Sequence, residues 1–165
     1  MSVFKNINGF AGKYEKLDKF AIFCAVHLLP TMLAFLLLVA AVKHNFQMFL
    51  YPTLTGLFSA FVVSKIIYIF YKEKRPARLK DTKLLIPIPK NPSFPSRHAS
   101  LVFGLSFCLF FYNEFLAIIF LLCSCLVAMA RVFCGVHWFR DVLAGMIIGF
   151  GSAILMYALL NYINL

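Results

Sequence analysis

Phe94-Pro95-Ser96-Arg97-His98-Ala99-Ser100 joins a basic, proline-broken loop to a long apolar run. Ser96 stands where an N-cap belongs, so the backbone N–H groups after it point out of the helix that follows. Such a terminus favours an anion, phosphate above all. His98, beside that terminus, gains or loses a proton near neutral pH. Reading this stretch as a helix start also divides the chain. Lys72 to Pro95 is then a 24-residue loop, and residues 98–130 hold a single charge, Glu114. A loop of that length inside a compact domain points to function.

Working outward, residues 46–71 form a membrane span interrupted by Lys65, which either snorkels or faces a polar cavity. Residues 20–42 carry no Lys, Arg, Asp or Glu and are long enough to cross the hydrocarbon. Pro30 is the expected kink there, and His27 is expected to bond a neighbouring helix. In residues 1–19, Phe4, Ile7, Phe10, Tyr14 and Leu17 recur at three- and four-residue steps between Lys5, Lys13, Lys16 and Lys19. That pattern predicts a helix lying in the membrane interface. Downstream, two short spans at 97–112 and 115–135 meet at a tight turn around Asn113. A last span over 139–163 carries Gly145, Gly149 and Gly151, small residues that let helices approach closely. The predicted fold is therefore all-α: a polytopic membrane helix bundle of about five transmembrane helices plus an N-terminal interfacial helix, one domain over 1–165.

Composition excludes the main alternatives. With 62% hydrophobic residues, 13% charged ones and twenty phenylalanines against six carboxylates, this is not a soluble domain. The net charge of +10 does not mark a nucleic-acid binder, because nearly all the Lys and Arg lie outside the apolar runs. They mark membrane-flanking loops and a site for an anionic ligand. Of the five cysteines, four fall in apolar runs, and Cys123 and Cys125 point to different faces of a helix. They read as inert thiols with no metal clip. The polar start and the lack of a small-residue cleavage site argue against a removable signal peptide.

An up-down course brings four helix ends to one membrane face, those near Arg75, His98, Arg131 and His137. His137 and Asp141 are four residues apart, which on a helix places them on one face. The carboxylate then holds one imidazole nitrogen and leaves the other free to attack phosphorus. Arg131 offers a planar fork to phosphate oxygens, and His98 suits the acid that protonates the leaving oxygen. Arg75, Ser96 and the Arg97 backbone N–H complete a cradle for the equatorial oxygens. Taken singly, these arginines fit interfacial anchors equally well. Two histidines, three arginines, a serine and an aspartate on one face do not.

Arg75-Pro76, Pro95-Ser96-Arg97-His98 and Arg131-x5-His137-x3-Asp141 resemble the three signature blocks of the type 2 phosphatidic acid phosphatase superfamily. The resemblance implies hydrolysis of a phosphoester or phosphoanhydride through a phosphohistidine, with no metal and no cofactor. It makes His137 the nucleophile, Asp141 its orienting partner and His98 the acid, with Arg75, Ser96, Arg97 and Arg131 at phosphate-binding positions. Two departures stand out. The family's first block has a lysine seven residues before the arginine, where this chain has Tyr68, so Lys65, Lys72 or Lys74 is expected to substitute. The third block opens with Ser-Arg in the family, whereas Ala130 precedes Arg131 here.

Within that superfamily, Phe4-Lys5-x-Ile7-Asn8, Leu17-Asp18 and Leu85-Ile86-Pro87 are similar to the small bacterial undecaprenyl-diphosphate phosphatases. This implies a lipid diphosphate that reaches the site from the bilayer, with carrier lipid returned to envelope synthesis. It also implies a multi-pass protein of the bacterial cytoplasmic membrane whose active face is extracytoplasmic. Phosphatidylglycerophosphate, phosphatidate and lipid A phosphates are the other substrates, and a non-catalytic binder of anionic lipid is the alternative of another class. The basic residues around the active face, counted by the positive-inside rule, point to the cytoplasm instead. Charges placed to hold phosphate are poor topology signals, so the family's orientation is kept. Oligomeric state is not legible.

Overall fold

The computed structural model describes residues 2–163, and among these the regular structure is helical throughout. The chain runs through α1 (Ser2–Asn8), α2 (Glu15–Val26), α3 (Leu28–Val42) and α4 (Gln47–Leu57). A π-helical stretch (Phe58–Val63) leads into α5 (Ser64–Phe70), and a short 3₁₀ turn (Pro76–Arg78) follows. Then come α6 (Arg97–Leu109), α7 (Glu114–Phe133) and α8 (Phe139–Tyr162).

Three helical stretches are long and apolar enough to cross a bilayer: Gln47–Phe70, Glu114–Phe133 and Phe139–Tyr162. A fourth arises if α2 and α3, bent by 55°, cross as one. The expected fifth crossing, α6, is a shorter apolar helix than these. Its 13 residues span about 20 Å at ~1.5 Å each, against a hydrocarbon core of ~30 Å. Every residue from Ala99 to Ser106 is buried, because α4, α7 and α8 surround the helix. A helix walled in by protein has no bilayer thickness to match.

The contact between α6 and α8 is close enough to need glycine. A Cβ at Gly149 would lie 2.5 Å from the Gly104 backbone nitrogen, and one at Gly145 would lie 2.7 Å from the Ala99 Cβ. Gly151 faces open space instead. Buried hydroxyls stitch the same helix to the second span. Ser59 Oγ donates to the Gly56 and Ser100 carbonyls at 2.8 and 2.7 Å, and Ser64 Oγ meets Ser100 Oγ at 3.2 Å. The Ser64 N–H reaches back to the Ser59 carbonyl, the i−5 bond that makes this stretch π-helical.

Two expectations near the N-terminus change. The predicted interfacial helix over 1–19 breaks after Asn8 and resumes at Glu15, with Gly12 at φ +78° in the turn. Its first part is docked on protein: Phe4, Asn8 and Ala11 are buried. Asn8 Nδ2 donates to the Lys83 and Phe133 carbonyls, 2.8 Å each, and the Lys83 N–H donates back at 2.9 Å. The bend in the first span falls at His27 rather than at Pro30. Pro30 occupies the first turn of α3, where its missing N–H costs nothing, while its ring excludes the carbonyl four residues earlier. That carbonyl belongs to Val26, where α2 ends. His27 stands exposed at the bend beside the Phe23 ring, not bonded to a neighbouring helix.

Candidate active site

Asp141 is the third residue of α8, and its carboxylate reaches back to accept the Trp138 N–H at 2.9 Å. An acid at this position closes a helix N-terminus and suits the dipole there. The same oxygen accepts from Ser93 Oγ and faces His137 Nδ1 at 3.4 Å. The four-residue spacing therefore works, though not as two residues on one helical face. The helix opens at Phe139, so His137 precedes the cap, and the turn into α8 makes the pair.

The other ring nitrogen, Nε2, lies 3.0 Å from Arg75 Nη1. A guanidinium only donates, so Nε2 is unprotonated and Nδ1 carries the proton toward Asp141. Both residues are buried, His137 at 2% and Asp141 at 0% exposure. Burial pushes the His137 pKa down to about 4; the Asp141 bond opposes this, and the charges of Arg75 and Arg131 reinforce it. The ring is neutral at pH 7 with its lone pair on Nε2.

Arg75 is placed by main-chain carbonyls. Nε donates to Asn91 O at 3.0 Å, Nη2 to Pro92 O at 3.0 Å, and Nη1 to Val136 O at 2.7 Å as well as to His137. Four of its five N–H groups are thus engaged. Arg131, in the last turn of α7, is different. It is 4% exposed, yet among the described residues it donates only to the Ala25 carbonyl, at 3.2 Å, and its Nε has no partner. After α7 the chain turns through Gly135 at φ +80°, where a Cβ would sit 2.5 Å from the Lys83 carbonyl. That turn brings the Val136 carbonyl onto Arg75.

Ser96 caps α6 as expected, its Oγ accepting the Ala99 N–H at 3.5 Å. Its own N–H donates to the Asp141 carbonyl at 3.0 Å, tying the start of α6 to the start of α8. His98 is half-buried, and the charge of Arg131 acts on its ring. The Arg97 guanidinium lies over the Phe61 ring, 5.4 Å from its centroid. The structure thus gathers Arg75, Ser96, His98, Arg131, His137 and Asp141. It does not gather the lysines. Lys65 is exposed on α5, while Lys72 and Lys74 line an adjoining basic pocket of about 380 Å³ with Arg75, Arg78 and Lys90.

Tyr68, where the family resemblance leads one to expect lysine, is buried and donates its hydroxyl to the Pro95 carbonyl at 2.7 Å. Sequence reasoning assigned no role to it or to Ser93. Nor did it foresee Trp138, whose Nε1 donates to the Lys74 carbonyl at 3.0 Å and whose ring meets Phe4 edge-on at 5.0 Å. Ser93, one residue before the quoted Phe94-Pro95 stretch, carried the nearest thing to a signal.

The sequence profile of the PAP2 superfamily matches residues 49–165. The chain is 26% identical over 160 residues to the bacitracin transport permease protein BcrC of Bacillus licheniformis, covering 95% of this chain and 78% of that one. To the undecaprenyl-diphosphatase BcrC of Bacillus subtilis (strain 168) it is 26% identical over 151 residues, covering 88% and 76% respectively. Among solved structures, LpxE of Aquifex aeolicus shares the fold at a TM-score of 0.71 and 24% identity, covering 95% of this chain and 93% of that one. The first transmembrane PAP2-type phosphatidylglycerolphosphate phosphatase from Bacillus subtilis shares it at 0.61 and 22%, covering 98% and 86%.

Proposed function

This chain belongs to the PAP2 superfamily as a membrane-spanning lipid phosphatase, and on that premise we propose that it hydrolyses the terminal phosphate of undecaprenyl diphosphate. The observation that carries the mechanism is the buried His137, held through Nδ1 by Asp141 with the lone pair of Nε2 turned toward Arg75. Substrate phosphate takes the place that the His137 ring now fills on Arg75, exchanging one acceptor for an anionic one. Nε2 attacks the terminal phosphorus in line, and the P–N bond forms as the bond to the bridging oxygen breaks. His98 delivers its proton to that oxygen, and Asp141 stabilises the positive ring. Water then attacks the phosphohistidine and gives its proton to His98, which releases orthophosphate. The unspent donors of Arg131 and the α6 N-terminus at Ser96 and Arg97 hold the equatorial oxygens. Lys72 and Lys74 add positive charge at the mouth, while Lys65 stands outside the site.

The likeness to the undecaprenyl-diphosphatase BcrC supports the substrate, and it extends over most of the chain. The fold shared with LpxE and with the phosphatidylglycerolphosphate phosphatase favours a second reading, the phosphate of another membrane lipid. The reaction on undecaprenyl diphosphate places the protein in the bacterial cytoplasmic membrane with its site facing outward, so a label at the Asn113 turn is reached only from the cytoplasm. The test is release of orthophosphate by purified protein, in chelator, from a panel of lipid mono- and diphosphates. The expected result is preference for undecaprenyl diphosphate and loss of release in His137→Ala. Preference for a monophosphate overturns the substrate. Unchanged release in His137→Ala overturns the mechanism and leaves the protein as a binder of anionic lipid.

A further inference from the structure

We propose that the basic pocket over Arg75 is a second phosphate subsite. It holds the lipid-proximal phosphate while the terminal one lies on His137, and so selects diphosphates over monophosphates. This rests on the hydrolytic reading above and adds to it the part of the site that recognises the second phosphate.

The cavity, about 380 Å³, is lined by Lys72, Lys74, Arg75, Arg78 and Lys90. Its one carboxylate is Glu73, already engaged on both oxygens. Oε1 pairs with Arg140 at 2.7 Å, and Oε2 accepts the Tyr71 hydroxyl at 2.6 Å. Five cations converge with no free counter-charge, an arrangement that stores repulsion until an anion enters. The walls are cross-tied. Arg78 closes a turn by donating its N–H to the Arg75 carbonyl at 3.2 Å, and Thr82 Oγ1 donates to Pro76 O at 2.7 Å. The opposite wall is held by the bonds from Arg75 to Asn91 and Pro92 and by Ser93 N–H on the Glu73 carbonyl at 2.9 Å.

Arg75 belongs to both places: its guanidinium touches His137 Nε2, and the residue also lines the pocket. Two phosphates joined by one bridging oxygen lie side by side, and one guanidinium can serve both. The pocket also sits where a lipid tail can leave it. Lys72 follows two residues after the end of α5, whose Ile66, Ile69 and Phe70 are exposed at 51, 66 and 84%. A headgroup in the pocket thus lays its tail along an apolar flank.

The test uses the double variant Arg78→Gln/Lys90→Gln in detergent micelles, with two readouts. In the first, kcat/KM for farnesyl diphosphate is divided by that for farnesyl phosphate. Loss of charged hydrogen bonds to the second phosphate lowers this ratio about tenfold, and Arg78→Lys/Lys90→Arg keeps it near the wild-type value. The second readout needs no turnover: calorimetric binding of methylenediphosphonate against orthophosphate. The wild type binds the diphosphonate more tightly, and the double variant loses that preference. An unchanged ratio and an unchanged preference overturn the subsite, even where both rates fall together. Wild-type protein that releases phosphate from neither lipid sinks the hydrolytic reading, and the calorimetry then still decides the subsite.

Discussion

On the floor of the site, α6 and α8 touch through Gly145 and Gly149, and packing sets the positions of His98, His137 and Asp141. Over it, the loop of residues 72–95 carries Arg75, placed by hydrogen bonds from its guanidinium to the carbonyls of Asn91 and Pro92 in the same loop and of Val136 after α7. The floor is held by close contact between helices, which neither pH nor salt alters much. The roof is held by a charged group buried in a cage of backbone dipoles, where an added anion competes directly. The two halves divide the labour. The nucleophile is built on the rigid half, and the group that must change partners when substrate arrives is hung from the loop.

Asp141→Asn bears hardest on the floor. Asparagine can still accept the Trp138 N–H but no longer fixes the Nδ1–H tautomer or stabilises the charged ring. A fall in kcat of about a thousandfold or more is expected, measured as phosphate release, and a fall of less than tenfold would remove Asp141 from the mechanism. Gly149→Ala attacks the same half through packing alone. Its new Cβ meets the Gly104 backbone at 2.5 Å, for a loss of about 2 kcal/mol in stability, read as a lower unfolding temperature in detergent. An unchanged temperature would show that the two helices part easily.

The pH profile separates floor from roof. Attack needs an unprotonated Nε2, and burial holds the His137 pKa at about 4. Corrected for ionisation of the lipid phosphate and for protonation of the acid His98, kcat/KM falls as pH drops through that range. Arg75→Gln removes one of the charges that keep the ring neutral, so the acid limb moves to higher pH. A limb near the ordinary histidine value that ignores this substitution would contradict the geometry. Smallest is Tyr68→Phe. It costs the bond to the Pro95 carbonyl, about 1 kcal/mol, and loosens the entry to α6, with a modest rise in KM and little change in kcat.

Much of the floor was legible in the sequence because its signals are local. Ser96 before an apolar run marks a helix start, and the Arg131-to-Asp141 spacing keeps its meaning wherever the helix opens. The shortness and full burial of α6 were not legible, since an apolar run looks alike whether protein or lipid buries it. The roof was mostly hidden. Arg75 is recognisable as a block residue, but its bonds to three main-chain carbonyls, 16, 17 and 61 residues away, leave no pattern in side-chain identity. The docking of α1 by Asn8 onto residues 75 and 125 positions away escaped for the same reason. Tyr68 looked like a missing lysine, and only its contact with Pro95 explains why a phenol stands there.

The central claim is that His137 Nε2 bonds to phosphorus. Acid-labile, alkali-stable phosphate trapped on the protein during turnover of a terminally labelled lipid diphosphate, located by mass spectrometry of peptides, tests it most directly. Label is expected on His137, accumulating further in His98→Ala where loss of the acid–base slows hydrolysis more than attack, and none in His137→Ala. Steady turnover with label on His98, or with no trapped phosphate under conditions that preserve a phosphohistidine standard, would contradict it.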